Sequence, residues 1–219
     1  MMRVLGKVVL AVGVAALLGS PVWAQGFRGG GMGGSMLLQN ASVQKELKLS
    51  DDQKDKIKTI TKEFREKNKD ELAKLFTPDL DQKERQEIGQ KLNHEAMKLL
   101  TPVLTDDQRK RFHQLELQVS GAQAFSDPKV QKALKLTDDQ KDKIKTIEED
   151  ARKEVQEIFQ NAGEDRAAAM KKLGALRKET LEKVTTVLTD EQKKSWKDMT
   201  GKPFEFKFDG PPRRPRPNG

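Results

Sequence analysis

The sequence predicts an all-α fold made of two tandem units of about four helices each. Residues 43–60 return almost unchanged as residues 130–147, which indicates an internal duplication. Four boxes of the form Leu-Ser/Thr-x-x-Gln mark helix starts, and the apolar residues that follow them recur at helical spacing. With 35% charged and 5% aromatic residues, the chain is too polar for one large mixed α/β enzyme domain.

Residues 1–24 have the pattern of a secretory signal peptide. A short basic start precedes an apolar run over residues 8–18, and small residues then suit cleavage before Gln25. The alternative is an uncleaved membrane anchor, but the run is shorter than the roughly 20 residues that a spanning helix needs. We therefore expect export and cleavage.

The rest of the chain divides into a linker, a duplicated body and a tail. Residues 25–37 are rich in glycine and lack periodicity, which predicts a flexible linker. A first helical unit is predicted over residues 38–123 and a second over residues 124–201. Residues 202–219 are rich in proline and arginine, which predicts an extended tail. Phenylalanines alternate from Phe204 onward, and we expect these rings to lie across a helix groove or against a partner.

Each box predicts a capped helix start. The Ser or Thr hydroxyl accepts a backbone N–H that has no partner within the helix, and the Gln side chain reaches back to the N–H of the capping residue. The intervening acidic residues favour the positive end of the helix dipole. We assign the boxes to capping and to no chemistry, and we expect each Leu to pack against a neighbouring helix. The box residues are Leu49, Ser50, Gln53, Leu104, Thr105, Gln108, Leu136, Thr137, Gln140, Leu188, Thr189 and Gln192.

Within each unit the pattern predicts a short helix, two long antiparallel helices and a capped final helix. Helix breakers at residues 77–79 and 161–163 separate the long helices of the first and second units. An apolar stripe on the first long helix of each unit is a candidate client-binding surface, although the same spacing is typical of a hairpin core. The stripe consists of Ile57, Ile60, Phe64, Ile144, Ile147 and Ala151.

Repeated LTxxQ boxes, helical hairpins, an export signal and the lack of cysteine resemble the Spy/CpxP family of periplasmic proteins. The resemblance covers residues 38–201 and has two departures: the boxes form two tandem pairs, and Ser50 takes the place of the first Thr. It implies helical hairpins whose subunits pair into a thin, curved cradle. It also implies a periplasmic location, with either ATP-independent protection of unfolded clients or restraint of a membrane stress sensor.

Two functions are open on these grounds. The first is a periplasmic ATP-independent chaperone or envelope-stress protection protein, whose partners are unfolded or partly folded envelope proteins. The alternative is a regulatory or metal-responsive partner of a membrane stress sensor. Because one chain carries both units, a monomeric pseudo-dimer is favoured over a homodimer.

No catalytic, metal-binding or cofactor-binding residue is predicted. The lack of cysteine excludes thiolate chemistry, and the acidic run at residues 148–150 lies beside no His or Ser nucleophile, so we expect no enzyme. His94 and His113 are the only histidines, and Lys178 and Lys197 occupy the matching positions of the second unit, which argues against a metal site. Much of the formal net charge of +8 lies in the signal peptide and the tail, so the nearly neutral body predicts no nucleic-acid partner.

Overall fold

The computed structural model describes residues 33–77, 79–161 and 165–207, with Arg166 described by its backbone only. These residues form ten α-helices and two 3₁₀ segments and include no strand, so the predicted all-α fold is confirmed. The predicted signal peptide and the end of the predicted tail lie outside the described residues. The helices are α1 Gly34–Leu38, α2 Ala41–Glu46, α3 Asp51–Lys67, α4 Lys69–Lys74, α5 Gln82–Leu100, α6 Asp106–Ser120, α7 Pro128–Leu134, α8 Asp138–Gln160, α9 Arg166–Thr186 and α10 Asp190–Thr200, and the 3₁₀ segments are Thr101–Val103 and Gly121–Ser126.

The short helices α2 and α7 end in the same way. Lys48 and Lys135 adopt the left-handed conformation with φ of 50° and 52°, which turns the chain toward the box that follows. Gln44 and Gln131 each donate from the side-chain amide to a main-chain carbonyl six residues earlier, at 2.9 Å in both cases. Nearly identical sequence therefore produces the same local geometry at both places.

The buried residues form two hydrophobic cores, and α6 contributes to both of them. Leu115 lies in the first core and Leu117 in the second, and α6 also packs against α10. The predicted boundary between residues 123 and 124 falls within the 3₁₀ segment Gly121–Ser126, whose alanines belong to the second core. The first core contains Leu37, Leu38, Val43, Leu47, Leu49, Ile57, Leu100, Leu104, Phe112, Leu115 and Phe206. The second contains Leu117, Ala122, Ala124, Phe125, Val130, Leu134, Leu136, Ile144, Val184, Leu188 and Trp196.

Helix α1 begins inside the predicted linker, so the prediction that residues 25–37 are all flexible is wrong at its end. Leu37 is 1% exposed and lies in the first core. Gly33 and Gly34 pack closely on α5 and α6: a Cβ on Gly34 would meet the Glu116 carboxylate, and one on Gly33 would lie 2.7 Å from Asn93 Cγ. These two glycines allow close approach of the backbone, a use of glycine that composition alone does not distinguish from flexibility.

Residues 202–207 form no helix or strand, and they are packed against the first unit. Phe206 is 2% exposed within the first core, and Phe204 packs against that core. The expectation that alternating phenylalanines lie across a helix groove is confirmed for these two rings. We call residues 202–207 the C-terminal strap.

Candidate functional site

All four boxes form complete capping boxes. In the first, Ser50 Oγ accepts the N–H of Gln53 at 3.2 Å, and Gln53 Oε1 accepts the N–H of Ser50 at 3.0 Å. The other three boxes repeat both bonds at 2.9 to 3.3 Å. The Leu of each box is buried in a core. The predicted capping and the predicted packing of the leucines are both present.

The boxes of the first unit also contact each other through their glutamines. Gln53 Nε2 donates to Gln108 Oε1 at 2.7 Å, and Gln108 Nε2 donates back to Gln53 Oε1 at 3.1 Å. Each Nε2 also donates to a carbonyl beside the partner box, that of Val103 at 2.8 Å and that of Leu47 at 3.2 Å. The reciprocal amide pair therefore joins the start of α3 to the start of α6.

The second unit repeats this arrangement with Gln140 and Gln192. Their reciprocal bonds measure 2.7 and 3.0 Å, and each Nε2 reaches a carbonyl beside the other box, that of Val187 at 2.9 Å and that of Leu134 at 3.1 Å. Each amide oxygen thus accepts a capping N–H and a partner amide, while each amide nitrogen donates both to the partner amide and to a carbonyl beside the other box. An amide is needed here because a carboxylate offers no donor.

Sequence reasoning assigned the boxes to capping alone and missed these pairs. A signal was available: each unit has two boxes, and Gln closes every one of them although Glu also serves in a capping box. Glu in that position would place a carboxylate against the amide oxygen of the partner box. The restriction to Gln is therefore explained by the pair rather than by the cap.

The predicted client-binding stripe is mostly hairpin core. Ile57 and Ile144 are 1% and 2% exposed, so they contribute no free apolar surface. Their burial follows from the packing of the long helices in each unit, which was the other reading of the same spacing. The remaining stripe residues are partly buried: Ile60 and Ile147 pack against the two cores, and Phe64 and Ala151 are half-buried.

Exposed aromatic side chains lie instead at the ends of the two hairpins. Phe76, just after α4, is 83% exposed, and Phe159, near the end of α8, is 41% exposed. Half-buried aliphatic side chains precede each phenylalanine along the chain. We call these groups the tip surfaces; the first contains Leu72, Leu75, Phe76 and Leu80, and the second contains Val155, Ile158 and Phe159.

The first tip surface is carried by a loop that Arg85 of α5 organises. The Arg85 guanidinium donates to the carbonyls of Leu75, Thr77 and Leu80, the last two at 3.1 and 3.0 Å. These bonds satisfy carbonyls that follow the end of α4. The side chain of Phe76, which lies between two of these carbonyls along the chain, is exposed to solvent.

The histidines lie on exposed positions of α5 and α6. His113 Nδ1 is 3.6 Å from Glu116 Oε2, and the nearby Glu116 carboxylate raises the pKa of His113, an effect that partial burial opposes. In the described part of the chain, no group of three or more His, Asp or Glu side chains is arranged to hold a metal ion.

A shallow groove of about 580 Å³ lies along α3. Its lining mixes cations and anions, among them Lys58, Arg65 and Glu66, with the buried hydroxyl of Thr61, which has no hydrogen-bond partner. This mixture of charges selects no single ligand class.

Comparison with known proteins adds no relative: the chain matches no family model, and no curated protein or solved structure is significantly similar to it. Within the described ranges, none of the helices combines the length and apolar composition needed to cross a membrane.

Proposed function

We propose that this protein is a periplasmic, ATP-independent chaperone or envelope-stress protection protein that binds unfolded or partly folded proteins. The observation that carries the proposal is the pair of tip surfaces, in which a helical hairpin ends in an exposed phenylalanine beside half-buried aliphatic side chains. The location rests on the signal-peptide pattern of residues 1–24.

The tip surfaces suit weak binding. Burial of one phenylalanine side chain contributes about 1.5 to 3 kcal/mol, which alone supports only a transient contact. Two tip surfaces on one chain strengthen the binding of a flexible client that reaches both, because the second contact is intramolecular. Each contact still breaks easily, so release needs no nucleotide.

Charged side chains beside the tip surfaces limit which proteins bind there. Lys74 precedes the first tip phenylalanine, and Lys153 and Glu154 lie one to two turns before the second. Charged side chains of both signs hold water around the apolar centre, so a folded protein without exposed apolar surface gains little by docking. Unfolded chains expose apolar groups throughout and are the preferred partners.

The experiment is suppression of aggregation of several unrelated unfolded proteins by residues 25–219 without nucleotide. The test variant carries Phe76→Ser with Phe159→Ser. The matched control carries Met36→Ser with Leu99→Ser, two side chains that are 54% and 52% exposed but lie away from the tips. Because all four positions are exposed, we expect each change to alter stability by about 0.5 kcal/mol or less.

We expect the tip variant to lose most of the suppression and the control to keep it. Equal suppression by both variants would contradict the role of the tip surfaces. Binding of a single membrane protein, with no effect on other clients, would favour the alternative of a regulatory or metal-responsive partner of a stress sensor.

A further inference from the structure

The C-terminal strap crosses from the second unit to the first. It leaves α10 at Gly201, whose φ of 64° turns the chain away from the helix axis. Phe204 and Phe206 then enter the first core, and Lys207 ends beside the start of α2. The strap therefore occupies a groove formed by residues of α2, α6 and the chain before α2.

The groove holds the backbone of the strap through side chains. Gln118 Oε1 accepts the N–H of Phe204 at 3.0 Å, and Gln118 Nε2 donates to the Lys202 carbonyl at 2.9 Å. At the other end, Asn40 Nδ2 donates to the Lys207 carbonyl at 2.8 Å, and Ser42 Oγ accepts the N–H of Lys207 at 3.2 Å. These bonds join main-chain groups of the strap and do not depend on its side chains.

The apolar part of the groove accepts aromatic rings two residues apart. Side chains at alternate positions of an extended segment point to the same side. The rings of Phe204 and Phe206 lie on the same side of the strap and meet edge to face with centroids 4.9 Å apart. Phe206 is 2% exposed and Phe204 is half-buried, so one deep and one shallow position are filled.

Within the described ranges, the matching positions of the second unit carry residues that do not make these backbone contacts. Asp127 occupies the position of Asn40, 87 residues later, and accepts the N–H of Lys129 as a helix cap. Its carboxylate has no N–H to donate to a peptide carbonyl. Lys129 also replaces the hydroxyl of Ser42. The polar contacts that hold an extended segment are therefore particular to the first unit.

We propose that this groove binds extended segments of unfolded polypeptides that carry aromatic residues two positions apart, and that the strap is its internal competitor. The proposal rests on the proposed chaperone function and names a client feature that it recognises. The strap is tethered, so its effective concentration at the groove is in the millimolar range for a short linker. Return of the strap then expels a bound segment without fuel.

The test uses the peptide KPFEFK, which has the sequence of residues 202–207, with a fluorescent label. It is added to the mature chain, to Phe206→Ala and to Phe204→Ala, and anisotropy and melting temperature are measured. We expect the peptide to bind both variants at least tenfold more tightly than the wild-type chain, because each variant weakens the competing strap. We also expect the peptide to raise the melting temperature of Phe206→Ala.

Two controls separate recognition from nonspecific adhesion. Asn40→Asp, added to each variant, keeps the cap of α2 but removes the donor to the Lys207 carbonyl, as in the second unit. The peptide KPSESK keeps the backbone and loses both rings. Each control should weaken binding at least fivefold. If the Phe206→Ala variant does not fold, peptide binding is measured with Phe204→Ala instead, because Phe204 is only half-buried.

Absence of peptide binding to a folded variant would overturn the proposal, as would binding that neither control weakens. A wild-type dimer that the peptide dissociates would also overturn it, because the occupant would then be the strap of a second copy. Aggregation suppression is measured separately, so a failure of peptide binding is distinguishable from a failure of the proposed chaperone function.

Discussion

The hairpins of the two units start from almost the same residues but end differently. Helix α8 runs for 23 residues, whereas α3 ends after 17 residues at Lys67 and α4 begins at Lys69. Between them, Asn68 takes φ of −107° and donates from its side chain to the Phe64 carbonyl at 2.9 Å. Val155 occupies the matching position of α8 and has no such donor. The Phe64 carbonyl also accepts the backbone N–H of Asn68 at 3.0 Å, so the side-chain bond is an additional one. This bond marks the position at which the helix of the first copy ends and that of the second continues.

The two cores are also completed differently. In the second, Phe125 and Trp196 pack with ring centroids 4.4 Å apart. In the first, smaller side chains, Leu38 and Phe112, occupy the matching positions, and Phe206 of the strap lies among them. The two units therefore share the positions at which their helices start, because the boxes are duplicated. The residues that differ between the copies determine which side chains complete each hydrophobic core.

The largest expected effect comes from removing a box glutamine. Gln108→Ala and Gln192→Ala each lose the bond to the capping residue, the amide pair and the bond to a carbonyl of the partner segment. Because the amide pair holds two bonds, each variant loses at least four bonds. At about 0.5 to 1.5 kcal/mol for each bond, we expect a loss of about 2 to 6 kcal/mol, similar in the two units. Denaturant titration measures it.

The matched control for this prediction is Gln108→Glu. It keeps an oxygen for the capping N–H but has no donor for Gln53 or for the Leu47 carbonyl. We expect it to be no more stable than Gln108→Ala above the pKa of the new carboxyl group. Full stability of Gln108→Glu at neutral pH would show that the amide pair contributes nothing beyond the cap.

A smaller loss is expected from the capping hydroxyls alone. Thr105→Ala and Thr189→Ala each remove one acceptor for a helix N–H and leave the glutamine pair in place. Each should cost about 0.5 to 2 kcal/mol, less than the glutamine change in the same box. Unchanged denaturant midpoints, or a Thr effect larger than the Gln effect, would contradict the assigned roles.

A smaller effect still is expected at the break between α3 and α4. Asn68→Ala removes the side-chain bond to the Phe64 carbonyl and places a stronger helix former at this position. We expect a gain of about 0.5 kcal/mol and slower amide exchange across residues 67–70. Exchange that becomes faster at these residues would show that the break is imposed by packing rather than by Asn68.

The sequence is sufficient to predict what depends on local rules and insufficient for what depends on partners distant in the chain. Capping at Ser50 and Thr105 follows from four consecutive residues, and the all-α class follows from spacing. The Gln53–Gln108 pair and the insertion of Phe206 join residues far apart, so no local pattern contains them. The glycines at the start of α1 show a further limit, because close packing and flexibility have the same composition.

The smallest expected effect is a titration that distinguishes the units. His113 and Glu116 of the first unit are replaced by Lys197 and Thr200 at the matching positions of the second. The Glu116 carboxylate, 3.6 Å away, raises the pKa of His113. Burial lowers this pKa, the charge of Asp127 raises it, and the charge of Lys129 lowers it. A raised pKa means that the folded chain favours protonated His113. The stabilisation is therefore fully present below the unfolded-state pKa and is lost as the pH rises through the folded-state pKa. Because the His113 side chain is 64% exposed, solvent screens this contribution.

NMR titration should place the His113 pKa above that of an unstructured reference peptide, and Glu116→Gln should lower it. A pKa at or below the reference value in the wild-type chain would show that the pair with Glu116 does not form in solution.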